Sequence, residues 1–224
     1  MNAEIITIGT ELLLGQILDT NSLYLSKKLS ETGINLYYKT SVGDNAERIK
    51  KTLSIATDRS DLVIITGGLG PTVDDVTRDA ISEWSGKKLI MDDKLLLQIE
   101  RFFEDRKIKM PENNKLQAYI PEGALIIENK VGTAPGFILE HNSKIIVCLP
   151  GVPAEMKSMI ETGVLPYLVE KSGAGRFVIL SKRIKIIGMS ESLVDEKIKD
   201  VFIESRNPTV AILAHQTEIE IRLT

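Results

Sequence analysis

The stretch Leu62-Val63-Ile64-Ile65-Thr66-Gly67-Gly68-Leu69-Gly70-Pro71-Thr72-Val73-Asp74-Asp75-Val76-Thr77-Arg78-Asp79 constrains the fold more than any other part of this 224-residue chain. It opens with an apolar, β-branched run, the pattern of a strand buried on both faces. Three glycines within four residues, a proline and two adjacent carboxylates come next, and the pattern then becomes helical. Closely spaced glycines let the backbone enter conformations closed to other residues and bring its N–H groups near a ligand. The helix N-terminus beyond them favours anions such as phosphate. Asp74 and Asp75 would repel that phosphate unless a divalent metal bridges them. The competing reading is a tight turn followed by acids that complement the helix dipole. The loop lacks both the Gly-x-Gly-x-x-Gly spacing and the Gly-Lys-Ser/Thr ending of the two common nucleotide loops.

The flanking sequence alternates strand and helix. Ile5 to Ile8 predicts a first strand, and Asp19, Thr20 or Asn21 caps a helix that keeps Leu25 and Leu29 on one face and stops at Gly33. Ile34 to Val42 predicts a second strand, and Ile49, Leu53 and Ala56 mark a second helix. The run from Leu62 is the third strand, and its helix runs through Trp84, a core residue, to Gly86. This order predicts an α/β fold, a three-layer, mostly parallel sheet with helices on both faces. Lys94 to Lys107 is a further helix, capped by Asp92 or Asp93. Leu125 to Glu128 and Phe137 to Leu149 hold three short strands, the last two forming a hairpin around His141-Asn142-Ser143, with His141 inert in a surface turn. Pro153 to Thr162 is a helix, and Pro166 interrupts the segment beyond it. Lys171-Ser172-Gly173-Ala174-Gly175 is the best linker. Past that linker, Phe177 to Ile187, Glu191 to Phe202 and Thr209 to Leu223 predict strand, helix and strand. The expected domains are therefore residues 1–170, and 176–224 as a small, incomplete α+β domain.

Bulk properties exclude several classes. A net charge of −3 gives no global attraction to nucleic acid or to anionic membranes. No apolar run approaches a membrane span, and the N-terminus has no basic region. The single cysteine, Cys148, sits in an apolar run, so no internal disulfide is possible and a cytoplasmic location is expected. There is no Ser-His-Asp set and no His/Cys zinc cluster, His141 and His215 being the only histidines.

Chemistry-bearing residues recur after the predicted strands, where an open parallel sheet binds its ligands. These loops are Gly9-Thr10-Glu11, Gly43-Asp44-Asn45, Gly67 to Asp75, Gly132-Thr133-Ala134-Pro135-Gly136, and Pro150-Gly151-Val152-Pro153-Ala154-Glu155. The edge would offer Glu11, Asp44, Asp74, Asp75 and Glu155 as carboxylates and glycine backbone as phosphate donors. Carboxylates, metal and backbone suit phosphoanhydride hydrolysis or anion transfer.

Gly9-Thr10-Glu11-Leu12-Leu13-Leu14-Gly15-Gln16, Asp19-Thr20-Asn21, the Gly67–Thr77 motif, Gly132 to Gly136 and Leu149 to Met156 resemble, in order, the competence/damage-inducible protein CinA family. The resemblance implies a molybdopterin-binding-like domain of the MogA, MoaB and MoeA type with metal-dependent ADP-ribose pyrophosphatase activity. The nicotinamide mononucleotide deamidase activity of longer family members is not carried over. Asn114-Lys115-Leu116-Gln117-Ala118 resembles the family's Asn-x-Lys-Gln-Ala, with leucine at the usual lysine position and Lys115 beside it.

Two functions are expected on this basis. In the first, ADP-ribose or a related dinucleotide is split, ADP-ribose giving AMP and ribose 5-phosphate. Asp44, Asp75 and Glu11 carry the chemistry, and Asp44, Asp74 and Asp75 hold Mg2+ or Co2+. Gly67, Gly68, Gly70, Thr72 and Thr77 hold phosphate, with Lys115, Gln117, Gly132, Thr133, Gly136, Gly151 and Glu155 as further ligand contacts. In the alternative, the same loops bind a pterin phosphate or nucleotide without turnover. A third reading, an interaction role in competence or DNA repair, comes from the family name alone, since no basic patch for nucleic acid is present. A homodimer is expected.

Overall fold

The computed structural model describes residues 1–172, 180–215 and 217–224. The chain divides into two compact units, Met1–Arg176 and Phe177–Thr224. The first is built on a six-stranded sheet of β1 (Asn2–Ile8), β2 (Asn35–Val42), β3 (Leu62–Thr66), β6 (Leu125–Ile127), β7 (Gly136–His141) and β8 (Lys144–Leu149). The strand order is β2-β1-β3-β8-β7-β6, and β4 (Leu89–Met91) pairs with β5 (Tyr119–Pro121) in a separate ribbon. Strands β2, β1, β3 and β8 are parallel, whereas β7 and β6 run antiparallel to their neighbours.

Side chains alternate across a strand, so a strand buried on both faces feeds two cores. Strand β3 does this: Val63 and Ile65 join one cluster, and Leu62 and Ile64 the other. The first cluster takes in α3 (Ala46–Arg59) through Ile49 and Leu53, α4 (Thr77–Ser85) through Ala80 and Ile81, and α5 (Asp93–Glu104) through Leu95 and Ile99. The second takes in α2 (Thr20–Glu31) through Leu25 and Leu29, and α6 (Pro153–Met159) and α7 (Leu165–Ser172) through Met156, Met159 and Leu168. The expected three-layer α/β architecture is the observed one.

Local signals placed most boundaries. Asp19, Asn45 and Asp92 each accept a backbone N–H three residues on, capping α2, α3 and α5. Gly86 ends α4 in the left-handed region. The β7–β8 hairpin turns on Asn142 and Ser143, both at positive φ, as a tight two-residue connection requires. His141 is not isolated there: its ring lies edge-on to Trp84 with centroids 5.1 Å apart. Trp84 itself packs against the first core cluster.

Two expectations are corrected, and two elements are added. Pro166 does not interrupt its segment, because it occupies the second position of α7, and the wide π-helical turn Ile160–Val164 just before it shifts the hydrogen-bond register. Thr209 to Leu223 is two strands, β10 (Val210–Ala214) and β11 (Ile219–Leu223). The β4–β5 ribbon and the 3-10 helix Glu112–Ala118 had no periodicity long enough to predict them.

The second unit pairs β10, β11 and β9 (Lys182–Ile186) antiparallel, with α8 (Glu191–Glu204) contributing Val194 to a small core that contains Ile219 and Ile221. The expected strand start at Phe177 and the linker glycines lie outside the described residues.

Gly136 is a packing glycine: a Cβ there would lie 2.7 Å from the Cys148 carbonyl oxygen and 2.8 Å from Met159 Cε. Gly136→Ala is expected to cost about 1–3 kcal/mol, lowering the thermal midpoint by several degrees in a calorimetric scan. An unchanged midpoint would show that β7 and β8 can separate freely.

Candidate functional site

The loops after β1, β2, β3 and β8 leave the carboxyl end of a parallel array and so collect at one edge. The loop before β7 joins them because β7 runs the other way, which brings its start to that edge. Together they form a cleft of about 400 Å3. Among the expected site residues, Glu11, Asp44, Gly67, Gly68, Gly70, Asp74, Asp75, Gln117, Thr133, Gly151 and Glu155 line it.

The glycine loop fixes the floor. Gly67 and Gly68 sit at φ +111° and +66°, conformations that disfavour side chains. A Cβ on Gly67 would stand 2.2 Å from the Ile8 carbonyl oxygen, so β1 and the loop touch backbone to backbone. Each carbonyl from Gly67 to Gly70 is then taken by α4. Thr77 Oγ1 donates to Gly67 O at 2.9 Å, and Thr77 N–H to Gly68 O at 3.1 Å. Arg78 Nη1 donates to Leu69 O at 2.5 Å, and Nη2 to Gly70 O at 2.9 Å. In a trans peptide the N–H points opposite to the preceding carbonyl. The N–H groups of Gly68, Leu69 and Gly70 therefore all turn away from α4, and among the described residues none has a hydrogen-bond partner. Three successive unpaired donors on one side of a loop form a nest, a geometry that can receive an anion.

Carboxylates ring this nest. Asp44 Oδ2 accepts from both Thr10 N and Thr10 Oγ1 at 2.8 Å, satisfying the start of the four-residue helix α1 (Thr10–Leu13). Glu11 folds back so closely that a Cβ on Gly9 would meet its Oε1 at 2.4 Å. Asp75 accepts from Thr72 N at 2.9 Å, and Thr72 Oγ1 lies 2.5 Å from both Asp74 Oδ1 and Asp75 Oδ2. One hydroxyl hydrogen serves one acceptor at a time, so Thr72 donates to either acid but not to both at once. Its hydrogen bond, with a backbone one, holds the Asp74 carboxyl below its ordinary value. Gly70 makes room for Asp75, whose Oδ2 would lie 2.3 Å from a Cβ there.

The opposite wall is organised by amides. Asn129 Nδ2 donates to Glu155 Oε2 at 2.6 Å and to Ala134 O at 2.9 Å, while its Oδ1 accepts from Val131 and Gly132 N–H. Burial raises the Glu155 carboxyl above the usual range, and the Asn129 bond only partly offsets this. Asn21 Nδ2 donates to Thr66 Oγ1 at 3.1 Å and Gly151 O at 2.7 Å, tying α2 to two of the loops. Asn114 Nδ2 donates to Gln117 Oε1 at 2.9 Å, which leaves the NH2 end of the buried Gln117 uncommitted to it.

Five expected residues lie elsewhere. Thr72, exposed in the loop itself, acts through its bonds to the two acids, and the buried Thr77 through its bond to the loop backbone. Gly132 is held by Asn129 behind Thr133, and Gly136 is packed inside β7. Lys115 pairs with Glu112 at 2.7 Å, away from the lining. Sequence reasoning missed Arg78 and Asn129. Arg78 had one signal, a cation in the first turn of a helix, where the dipole disfavours it. For a metal, the oxygen donors of Asp44, Asp74 and Asp75 suit a hard cation such as Mg2+. Among the described residues, however, no three His, Cys, Asp or Glu side chains are grouped as a ligand set.

Residues 4–170 match the model of a probable molybdopterin binding domain, and residues 181–224 that of the damage-inducible protein CinA KH domain. A CinA-like protein of Dictyoglomus thermophilum is 50% identical over the whole chain, which covers 54% of that relative. A CinA-like protein of Kosmotoga olearia gives the same figures, so the chain spans about half the length of these relatives. The solved structure of the protein CinA, of unknown function, from Thermoplasma acidophilum is similar with a TM-score of 0.67 and 33% identity, over 76% of this chain and 96% of that one. MoaB of Thermus thermophilus, at 23% identity and a TM-score of 0.52 over 76% of this chain and 92% of its own, shares the fold. Matched in both units, the chain belongs to the CinA family, with a molybdopterin-binding-type α/β domain followed by the family's KH domain.

Proposed function

We propose that the cleft binds a small phosphorylated ligand of the pterin or nucleotide class, with a phosphate seated on the N–H groups of Gly68, Leu69 and Gly70. One observation carries this reading: three adjacent donors without partners among the described residues, on a stretch whose carbonyls from Gly67 to Gly70 are all committed to α4. Charge-assisted bonds of this kind contribute about 1.5–3 kcal/mol each. The match to a molybdopterin binding domain supports the ligand class.

The test is a calorimetric titration of the full chain with pyrophosphate in the presence of Mg2+. Gly68→Val is expected to weaken binding at least tenfold. It also lowers stability, because its Cβ would lie 2.2 Å from Thr77 Oγ1 at a φ that β-branched residues avoid. Parent-like binding by this variant would reduce the loop to a turn.

A second reading, hydrolysis of ADP-ribose to AMP and ribose 5-phosphate, is favoured by the carboxylates Glu11, Asp44, Asp74 and Asp75 on the same cleft. A phosphate about 4 Å from a carboxylate meets roughly 4 kcal/mol of repulsion per charge pair at an effective dielectric of 20. Two such acids offset most of what the nest supplies, so a cation accompanying the phosphate is electrostatically favoured. Mg2+ is commonly held by one or two carboxylates together with ligand phosphates, which would make metal binding depend on ligand. Such a cation would polarise the bridging phosphate and acidify a bound water. Asp75 and Asp44 would hold it, and a neighbouring carboxylate would accept the water's proton. With ADP-ribose and Mg2+ or Co2+, AMP is expected to form, and Asp75→Ala to slow its formation at least a hundredfold. AMP release at the parent rate from that variant would remove Asp75 from the chemistry.

Glu155 gives this site a pH dependence. Its raised carboxyl is neutral at pH values where ordinary acids are charged, and its negative charge appears as the pH rises through that raised value. Pyrophosphate affinity of the parent, relative to Glu155→Gln, is therefore expected to fall with rising pH. A ratio constant from pH 4 to 8 would contradict it.

A further inference from the structure

Arg78 is almost fully buried, at 5% exposure, in the first turn of α4. A cation there faces the positive end of the helix dipole and has lost its water. Among the described residues, no carboxylate oxygen is one of its hydrogen-bond partners. Those partners are the carbonyls of Leu69 and Gly70, one for each terminal nitrogen of the fork. Asp75 and Asp79 act on it only through space, opposing the effect of burial on its charge.

The two carbonyls have different consequences. Holding Leu69 O turns the Gly70 N–H away from α4 and so sets the third donor of the nest. The next peptide ends at Pro71, which has no N–H, so it can offer a ligand only an acceptor. Holding Gly70 O keeps that acceptor out of the cleft, where it would repel an anion. Thr77 fixes the other two donors through the carbonyls of Gly67 and Gly68. A planar guanidinium spans two successive carbonyls in a fixed geometry that a lysine ammonium does not reproduce.

We propose that Arg78 is a positioning residue for the anion site: its fork faces the Gly70 N–H toward bound phosphate and the Gly70 carbonyl away from it, without Arg78 touching the ligand. The inference rests on the phosphate reading of the cleft. It is tested by titrating the full chain with pyrophosphate in Mg2+ beside Arg78→Met, Arg78→Lys and a core variant, Phe137→Leu, that lowers the melting temperature from outside the cleft. Arg78→Met is expected to bind at least tenfold more weakly, Arg78→Lys three- to tenfold more weakly, and Phe137→Leu within twofold of the parent. Arg78→Met binding within threefold of the parent would overturn the proposal. So would a loss in Phe137→Leu as large as that in Arg78→Met, which would mark general destabilisation. If Arg78→Met does not unfold cooperatively, Arg78→Lys decides, and parent-like binding by it overturns the role of the fork. Absence of pyrophosphate binding in the parent would instead overturn the phosphate reading itself.

Discussion

The carbonyl oxygens of Gly67, Gly68, Leu69 and Gly70 all turn into the first turn of α4, where Thr77 and Arg78 receive them. Backbone polar groups in a folded chain must be accounted for, and here the four carbonyls are closed within the protein while, among the described residues, the N–H groups of Gly68, Leu69 and Gly70 stay open. The loop needs glycine for this, since two of its residues adopt positive φ and one abuts the β1 backbone. The buried β3 strand and the double core on either side of it hold the loop's start in register with β1 and β8.

Four of the five carboxylates at the cleft have a side-chain donor beside them: Thr10 holds Asp44, Thr72 stands between Asp74 and Asp75, and Asn129 holds Glu155. Glycines at positions 9, 70 and 132 give Glu11, Asp75 and Glu155 the room to lie where they do, each acid oxygen within 2.4 Å of where a Cβ would be. Glycine and acid thus work as pairs, and a motif read as flexible backbone is also a set of spaces cut for side chains. The result is a donor floor with an acidic rim, an arrangement whose charges would favour an anion that carries a cation over a bare one.

Much of this was legible in the sequence. The apolar run Leu62–Thr66 and the strand–helix alternation gave the layered sheet, because two-sided burial and period-two alternation are local properties. The loops after successive strands announced a common edge, and all five of their acids line it. What escaped was set by tertiary packing. Gly136 has the same local signature as a ligand glycine, yet the neighbouring strand explains it. Lys115 looked available as a charge until Glu112, one 3-10 turn away, was placed beside it. Arg78 and Asn129 act by bonding to backbone, which no spacing rule reveals. Pro166 misled because a π-helical turn absorbed the break it imposes.

In the proposed complex the three N–H groups of the glycine loop receive phosphate. Amide-resolved 15N–1H spectra of the labelled chain during a pyrophosphate titration in Mg2+ address this contact most directly. Large, saturable shifts are expected at Gly68, Leu69 and Gly70, the largest in the chain. Saturable binding that moves other amides and leaves those three in place would contradict it.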